Sequence, residues 1–442
     1  MNVEVRTVKT AAEQAAVEQF DAAAGGLPGS PATAAARREA IGRVRANGLP
    51  HRRIEDWKYT DLRAALRDLP APAVPSDAPI GPESLSELDA WRIVIIDGGT
   101  PSIPEGLAAQ GVEVVSLARE LSGDAGAELL QDWPAESASS VLDLNTAFMS
   151  TGVVIRVGEG VQLDRPIHIA CVTTVPEAAS VYMRNGLEVG AGASATVIES
   201  YEGPDGIGYV VNTAARISVG RDAMLTLVKV QRDGNAAFHL STSAIDIAER
   251  ARLTYAPFTT GALLSRNQVA FAFGGVHAEL NVAGIQLLGG RQHGDTTLFV
   301  DHALPDGASR ELFKTVLDDR ARGVFQGKII VRKDAQKVDG RMMTQALMLS
   351  ERAEADNKPE LEIYADDVQC GHGATTGRID ENLLFYLRAR GIPELMAKAL
   401  LIEAFIGESI QAIGNEAIGE ALSGIAHDWV SGHAAGEGED GS

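Results

Sequence analysis

Between Gly152 and Ile379 one short pattern recurs about every 30 residues, and that spacing limits the possible folds more than any other feature of the chain. The copies are Val157-Gly-Glu-Gly-Val161, Val189-Gly-Ala-Gly-Ala193, Val219-Gly-Arg-Asp-Ala223 and Ile247-Ala-Glu-Arg-Ala251. Phe273-Gly-Gly-Val-His-Ala278 reads as a fifth copy with one extra residue. In each, an apolar residue ends a strand, small or polar residues turn, and a small or apolar residue starts the next strand. Strand–turn–strand units at this period predict a β-solenoid, since a propeller blade needs about 40 residues or more. No single coil can bury its apolar face, so coils must stack and share a core. GVVIRV (152–157), IHIACV (167–172), GYVVNT (208–213), LTLVKV (225–230), Ile329–Val331 and Ala346–Leu349 supply strand candidates rich in β-branched residues. The hexapeptide rhythm of left-handed solenoids is missing. The expectation is a mainly β protein: a right-handed parallel β-helix over 149–380, flanked by N-terminal and C-terminal α-helical domains.

The N-terminal 1–148 reads as mostly helical. Thr10–Ala24 is Ala-rich, and Ser30 with Pro31 opens a second helix that ends near Asn47 before Gly48. Trp57, Tyr59 and Leu62 are the large apolar residues that follow, and they favour core packing over a partner contact. The proline-rich segment 70–82 reads as a linker or surface loop. Trp91–Gly99 reads as a short buried strand, 112–121 as a strand running into a helix, and 129–148 as helix broken at Pro134. Helical periodicity returns over 381–430. Asp380 is a good N-cap, Gly391 a good stop, and Pro393 opens a long apolar helix. Met396, Ala399, Leu400, Glu403 and Ile406 lie on one face of it, with Leu395, Ile402 and Phe405 on the other. Such a helix must be buried on more than one side, against the end of the solenoid or another chain. Residues 431–442 read as a disordered acidic tail.

With 45% hydrophobic and 22% charged residues the chain can build a large core. A formal charge of −21 argues against nucleic-acid binding, because phosphates would be repelled. No apolar run is long enough for a membrane span, and the N-terminus lacks the pattern of a secretory signal. Two cysteines, Cys171 and Cys370, give no disulfide framework, which fits a reducing cytoplasm.

Chemistry concentrates in Glu360–Ile379. If that stretch is extended, Cys370 and His372 share a face with Asp366 and Val368. A thiolate beside an imidazole suits iron, copper or zinc. Two ligands do not close a metal site, however, and a half-buried strand ending in a Gly-rich turn explains the same residues. Gly371, Gly373 and Gly377 leave room for another backbone to approach. His293 and His302 lie near Asp295 and Asp301, a weaker candidate for metal or acid–base chemistry. Asp366-Asp367 is the one adjacent acidic pair on an expected strand near the end of the solenoid. No phosphate-binding glycine loop, H-E-x-x-H or G-x-S-x-G motif occurs. These residues favour a cytoplasmic scaffold. A β-helix lyase or hydrolase acting on a sugar or acidic substrate is the alternative, although such enzymes are usually secreted.

The run KPELEIYADDVQCGHGATTGRIDENLLFYLRARGI (358–392) resembles the SufB/SufD family of iron–sulfur cluster assembly proteins. So do SRELFKTVLDDRARGVFQGKIIVRKDAQKVDG (309–340), EDWKYTDL (55–62) and LNTAF (144–148). The details are similar to the SufD branch. C-G-H-G-A-T followed by G-R-I stands where SufB-like chains show E-H-E-A-T and S-K-I, and TQALMLSERA (344–353) lacks the SufB cysteine. The stretch RMMTQALML is less polar than is usual in that branch.

The resemblance implies a non-enzymatic scaffold that pairs with a SufB-like subunit and carries a SufC-like ATPase. A homodimer remains open for the isolated chain. It implies a transient iron–sulfur cluster at the subunit interface, shared with SufB and not held stably by this chain alone. His372 would be this chain's ligand, with Cys370 secondary and Gly371, Gly373 and Asp366 at the partner interface. It also implies that the ATPase docks on the C-terminal helices at Leu395, Met396, Ala399, Leu400 and Phe405. ATP binding would then shear the interface and expose the site. Neither nucleic acid nor membrane is an expected partner.

Overall fold

The computed structural model describes residues 9–76, 84–123, 126, 129–130 and 133–436, with side chains through 432. The repeat builds two nine-stranded sheets that wind together. The first contains β1 (Trp91–Ile96), β4 (Ile167–Val172), β6 (Ser194–Glu202), β8 (Met224–Arg232) and β10 (Arg252–Thr259). It continues through β12 (Glu279–Leu288), β14 (Ala308–Leu317), β16 (Asp339–Met348) and β18 (Gln369–Arg378), in that spatial order. The second runs from β2 (Val112–Ser116) through β3 (Val153–Val157), β5 (Ser180–Val189), β7 (Val210–Val219) and β9 (Phe238–Ile247). It ends with β11 (Leu264–Phe273), β13 (His293–His302), β15 (Arg322–Val331) and β17 (Glu354–Ile363). All these neighbours are parallel except β2, which is antiparallel to β3. The fold is a parallel β-solenoid of about eight turns with helices on its flanks.

The repeated apolar positions of the sequence are register partners. Val157 pairs with Val189, Val189 with Val219, Val219 with Ile247 and Ile247 with Phe273. Ala193, Ala223, Ala251 and Ala278 follow the turns and are fully buried in the common core. The turns need left-handed backbone, met by Gly160 and Gly192 and then by Asp222, Arg250 and His277.

Both outer faces of the solenoid are covered by helices. In the N-terminal region, α1 (Ala11–Ala23) is capped by Thr10 in a capping box with Glu13, and α2 (Pro31–Asn47) by Ser30. Together with the short α3 (Leu62–Ala65) and, beyond α4 (Leu117–Ser122), α5 (Ser140–Phe148), they bury Phe20, Val44, Leu62 and Phe148 against Tyr182, Val210, Leu240 and Leu264 of the second sheet. Trp57 is in this core too, as expected, with the Arg266 guanidinium 4.0 Å from its ring.

The C-terminal helices are α6 (Glu381–Ala389), α7 (Glu394–Gln411) and α8 (Glu416–Gly436). Ile402, Ile406, Ile418 and Leu422 pack on Val228, Phe258, Ile285 and Leu287 of the first sheet. Each such side chain stabilises the contact by roughly 1.5–3 kcal/mol. The long apolar helix thus lies along the flank of the solenoid, neither on its end nor waiting for another chain to cover that face.

Three boundaries move. β1 and β2 belong to the solenoid sheets, so the solenoid draws strands from before residue 149. Ala71 and Ala73 exchange backbone hydrogen bonds with Ser180, so the start of the proline-rich segment adheres to the solenoid edge. Residues 77–83 of it lie outside the described residues. Helix α8 continues to Gly436, past the expected start of the acidic tail, and 437–442 lie outside the described residues. Among the described residues no helix is long and apolar enough to cross a membrane.

Candidate functional site at the open end of the solenoid

Among the described residues the last strands, β17 and β18, each hydrogen-bond to one neighbouring strand, so each sheet ends in a free edge. The stretch Glu360–Ile379 is therefore not one extended strand. It is the end of β17, a corner at Tyr364–Val368, and β18. The corner breaks the two-residue alternation. Asp366 is exposed in the bend and does not join the face of Cys370, contrary to expectation, and Asp366-Asp367 is a corner pair rather than a strand pair. Asp367 is tied down by Lys337, and its backbone N–H donates to Gln336 Oε1 at 2.9 Å.

Cys370 and His372 do share a face. On β16 the residues Gly340, Met342 and Thr344 are buried and point inward, while Arg341 and Met343 are exposed. Cys370 pairs with Gly340 and His372 with Met342, which places both in the inward columns of the last coil. Cys370 is half-buried and packs on the core; His372 is exposed because no coil covers it. Gly371 and Gly377 face open space. A Cβ on Gly373 would meet the Met343 methyl at 2.7 Å, so that glycine already has a neighbour.

A cavity of about 800 Å³ is lined by Cys370, His372, Met342, Arg341, Arg310 and Glu311, among others. Glu311 belongs to the column of His372: Val282, Glu311, Met342 and His372 are successive register partners. It is 2% exposed, and no hydrogen bond of good geometry reaches either carboxyl oxygen. Burial pushes its carboxyl up to about 8, with Ser309 and Arg310 pulling more weakly the other way. Burial also pushes the Cys370 thiol up, the Gly340 N–H opposes this, and Asp339 and Glu311 add to it. Cys370 is therefore held as a thiol until a cation or a change of surroundings favours its ionised form. Gly340 leaves a gap beneath it: a Cβ there would lie 3.5 Å from Ser309 Oγ and 3.6 Å from Cys370 Sγ. Composition does not single out Glu311 or Met342, but stepping back from His372 by one and two repeats does.

The other sequence candidates serve packing. Asp295 is buried against Arg266 and receives the Thr60 hydroxyl, while His293 Nε2 meets that hydroxyl at 2.8 Å. His302 is buried with Nε2 3.0 Å from Ser309 Oγ, and half-buried Asp301 pairs with Arg332. Cys171, the other thiol, is buried in β4, near the opposite end of the sheet that ends in β18. Among the described residues no three His, Cys, Asp or Glu side chains are placed to hold a metal together.

On the C-terminal helices the expected docking residues divide. Ala399 is buried against the solenoid and Phe405 is half-buried under Lys314, 4.8 Å from its ring, so neither faces outward. Leu395, Met396 and Leu400 are exposed, and they are joined by Leu383, Phe385 and Tyr386 of α6.

The SUF system FeS cluster assembly SufBD core domain matches residues 172–405, and the SufBD protein N-terminal region matches 28–169. The chain belongs to the SufBD family. An iron–sulfur cluster assembly SufBD family protein of Synechocystis is 32% identical, with 83% of this chain and 84% of the relative aligned. The iron–sulfur cluster assembly protein SufD of Escherichia coli is 31% identical, over 84% of this chain and 87% of that one. A chloroplastic protein of Arabidopsis thaliana, ABCI7, is 27% identical over 84% of this chain and 80% of its own length. Within the SufBD match, the core-domain model covers β18 and the start of the C-terminal helices, where the open-ended site lies.

Proposed function

We propose that this SufBD protein is the SufD-type subunit of a complex with a SufB-like partner and a SufC-like ATPase, and that it acts in the cytoplasm as a scaffold rather than an enzyme. The observation that carries the reading is the placement of Cys370 and His372 on a last strand with a free edge. A partner strand can pair with such an edge through main-chain hydrogen bonds. A thiol and an imidazole are reasonable donors to iron, and two donors leave a site that another chain must complete. The nascent iron–sulfur cluster is then cargo, shared with a cysteine of the partner. His372 is the main ligand from this chain and Cys370 the secondary one, with Gly371, Gly373 and Asp366 at the contact.

The exposed apolar side chains of α6 and α7 are the surface on which the ATPase subunit docks. ATP-driven approach of two such subunits would shear the solenoid ends apart and open the site. That requires a closed interface of marginal stability, since a ligand shifts an equilibrium only by its differential affinity.

The test is co-expression with SufB-like and SufC-like subunits, native mass determination, and reconstitution with iron and sulfide. The expected result is a hetero-oligomer that assembles a cluster, with assembly lost in His372→Ala while the complex stays intact. A homodimer that ignores both partners, or normal cluster assembly by the variant, would overturn the reading. Activity of the isolated chain on a sugar polymer would favour a β-helix enzyme instead.

A further inference from the structure

The chain has 60 acidic and 39 basic residues, yet one cavity gathers cations. It measures about 900 Å³ and lies where the segment between α2 and α3 meets the second sheet at β9, β11 and β13. Arg52, Lys58, Arg67 and Arg291 ring it, and all four are exposed. Among the described residues none of these four side chains has a carboxylate partner in an ion pair. One carboxylate, Asp61, also lines the cavity, its Oδ1 accepting the Ala64 N–H at 3.1 Å as the cap of α3, while Glu55, outside the lining, is held by Lys358 at 2.7 Å. Some solenoid arginines are matched, Arg250 with Asp222 and Arg332 with Asp301. The floor combines half-buried Tyr59 with Phe238, Leu263 and Leu264.

Four exposed cations facing a single lining carboxylate repel each other on balance, and an anion placed among them removes that cost. Guanidinium groups match phosphate oxygens in a two-point geometry that chloride cannot use. The volume suits a small molecule, and an aromatic and apolar floor suits an organic group attached to the phosphate. We propose that this cavity binds a phosphate-bearing small molecule, its phosphates held by Arg52, Arg67 and Arg291 with Lys58. The site is separate from Cys370 and His372, which line a different cavity.

Isothermal titration of the isolated full-length chain with inorganic diphosphate, and in parallel with adenosine diphosphate, tests this. Saturable binding of diphosphate at one site is expected. Arg52→Ala and Arg291→Ala should each weaken it roughly tenfold or more, the loss of one charge-assisted hydrogen-bonding group. Arg352→Ala, which removes an exposed arginine outside this cavity, should leave it unchanged. Equal affinity for the two ligands would mean that phosphate alone is recognised; tighter binding of the nucleotide would add the Tyr59 floor to the site. Either supports the proposal. No saturable binding of either ligand, or equal weakening by Arg352→Ala, would overturn it. Circular dichroism melts of each variant separate loss of binding from loss of fold.

Discussion

Tyr255 and His372 occupy the same inward column of the first sheet, four register steps apart through Val282, Glu311 and Met342. Tyr255 is sealed in the core. Its ring packs edge-on to Phe271 at 5.7 Å, and its hydroxyl accepts from Asn267 Nδ2 at 2.9 Å. His372 has the same orientation and no coil above it. The other sheet shows the same contrast: the column from Val157 to Val331 is buried, while Ile363 in the last coil is 43% exposed. A residue's availability for chemistry here depends on its rung, because each coil is covered only by the next one.

Inner coils also hold buried charge. Lys229 is buried with its ammonium on Ser241, and burial lowers its pKa even though Glu199 and Asp233 oppose the shift. Asp233 meets His239 Nδ1 at 2.8 Å. Burial disfavours ionised Asp233, but His239 and hydrogen bonds from Gln231 and Tyr209 outweigh this and hold its carboxyl below the usual range. These groups are internal polar contacts that join the two sheets across the core.

The largest expected effect separates the two rungs directly. Tyr255→Ala should lower the unfolding free energy by about 3–5 kcal/mol, as for other buried aromatic side chains. His372→Ala should change it by less than about 0.5 kcal/mol. Urea unfolding of both variants measures the gap, and equal losses would break the distinction between covered and uncovered rungs.

Glycines give a smaller version. A Cβ on Gly284 would lie 1.9 Å from the Phe313 ring, so Gly284→Ala should cost about 1–3 kcal/mol. Gly371→Ala meets nothing and should be nearly neutral in the isolated chain.

Glu311 reports on the rung between. Its carboxyl is raised from 4.5 to about 8, so the folded state holds the proton more tightly than the unfolded chain. Its contribution is fully present below about pH 4.5 and is lost as pH rises through about 8. Glu311→Gln should therefore gain stability relative to the parent between pH 5 and pH 8, by about 1 kcal/mol or more. A parallel pH dependence in both proteins would show that Glu311 is not held neutral.

Thiol accessibility is the mildest probe. In the native chain Cys370 should react with a maleimide well before Cys171, which is 3% exposed, and Cys370→Ser should remove the early phase. Mass spectrometry of the labelled peptide identifies the site.

Much of this was legible before folding is considered. Val157, Val189, Val219 and Ile247 sit at the ends of strands whose corners are set by local backbone needs, so their recurrence encodes the register itself. Cys370 and His372 are two residues apart on one strand, so their common face is also local. Asp366 leaves the face of Cys370 because alternation holds only within a strand and a corner intervenes. Glu311 carries no local signal, since its relation to His372 runs across the sheet, at a distance set by coil length. Helical periodicity does not separate Ala399 and Phe405 from Met396, because it shows that a face is apolar without saying what covers it.

The solenoid, the caps of its helices and the shared face of Cys370 and His372 follow from contacts within a strand, a turn or one repeat. The helices that sheathe both flanks, the open last coil and the convergence of Arg52, Arg67 and Arg291 on one cavity emerge when distant parts of the chain pack together. Those outcomes depend on which distant surfaces meet, and side chains more than two hundred residues apart have no local pattern that announces their contact.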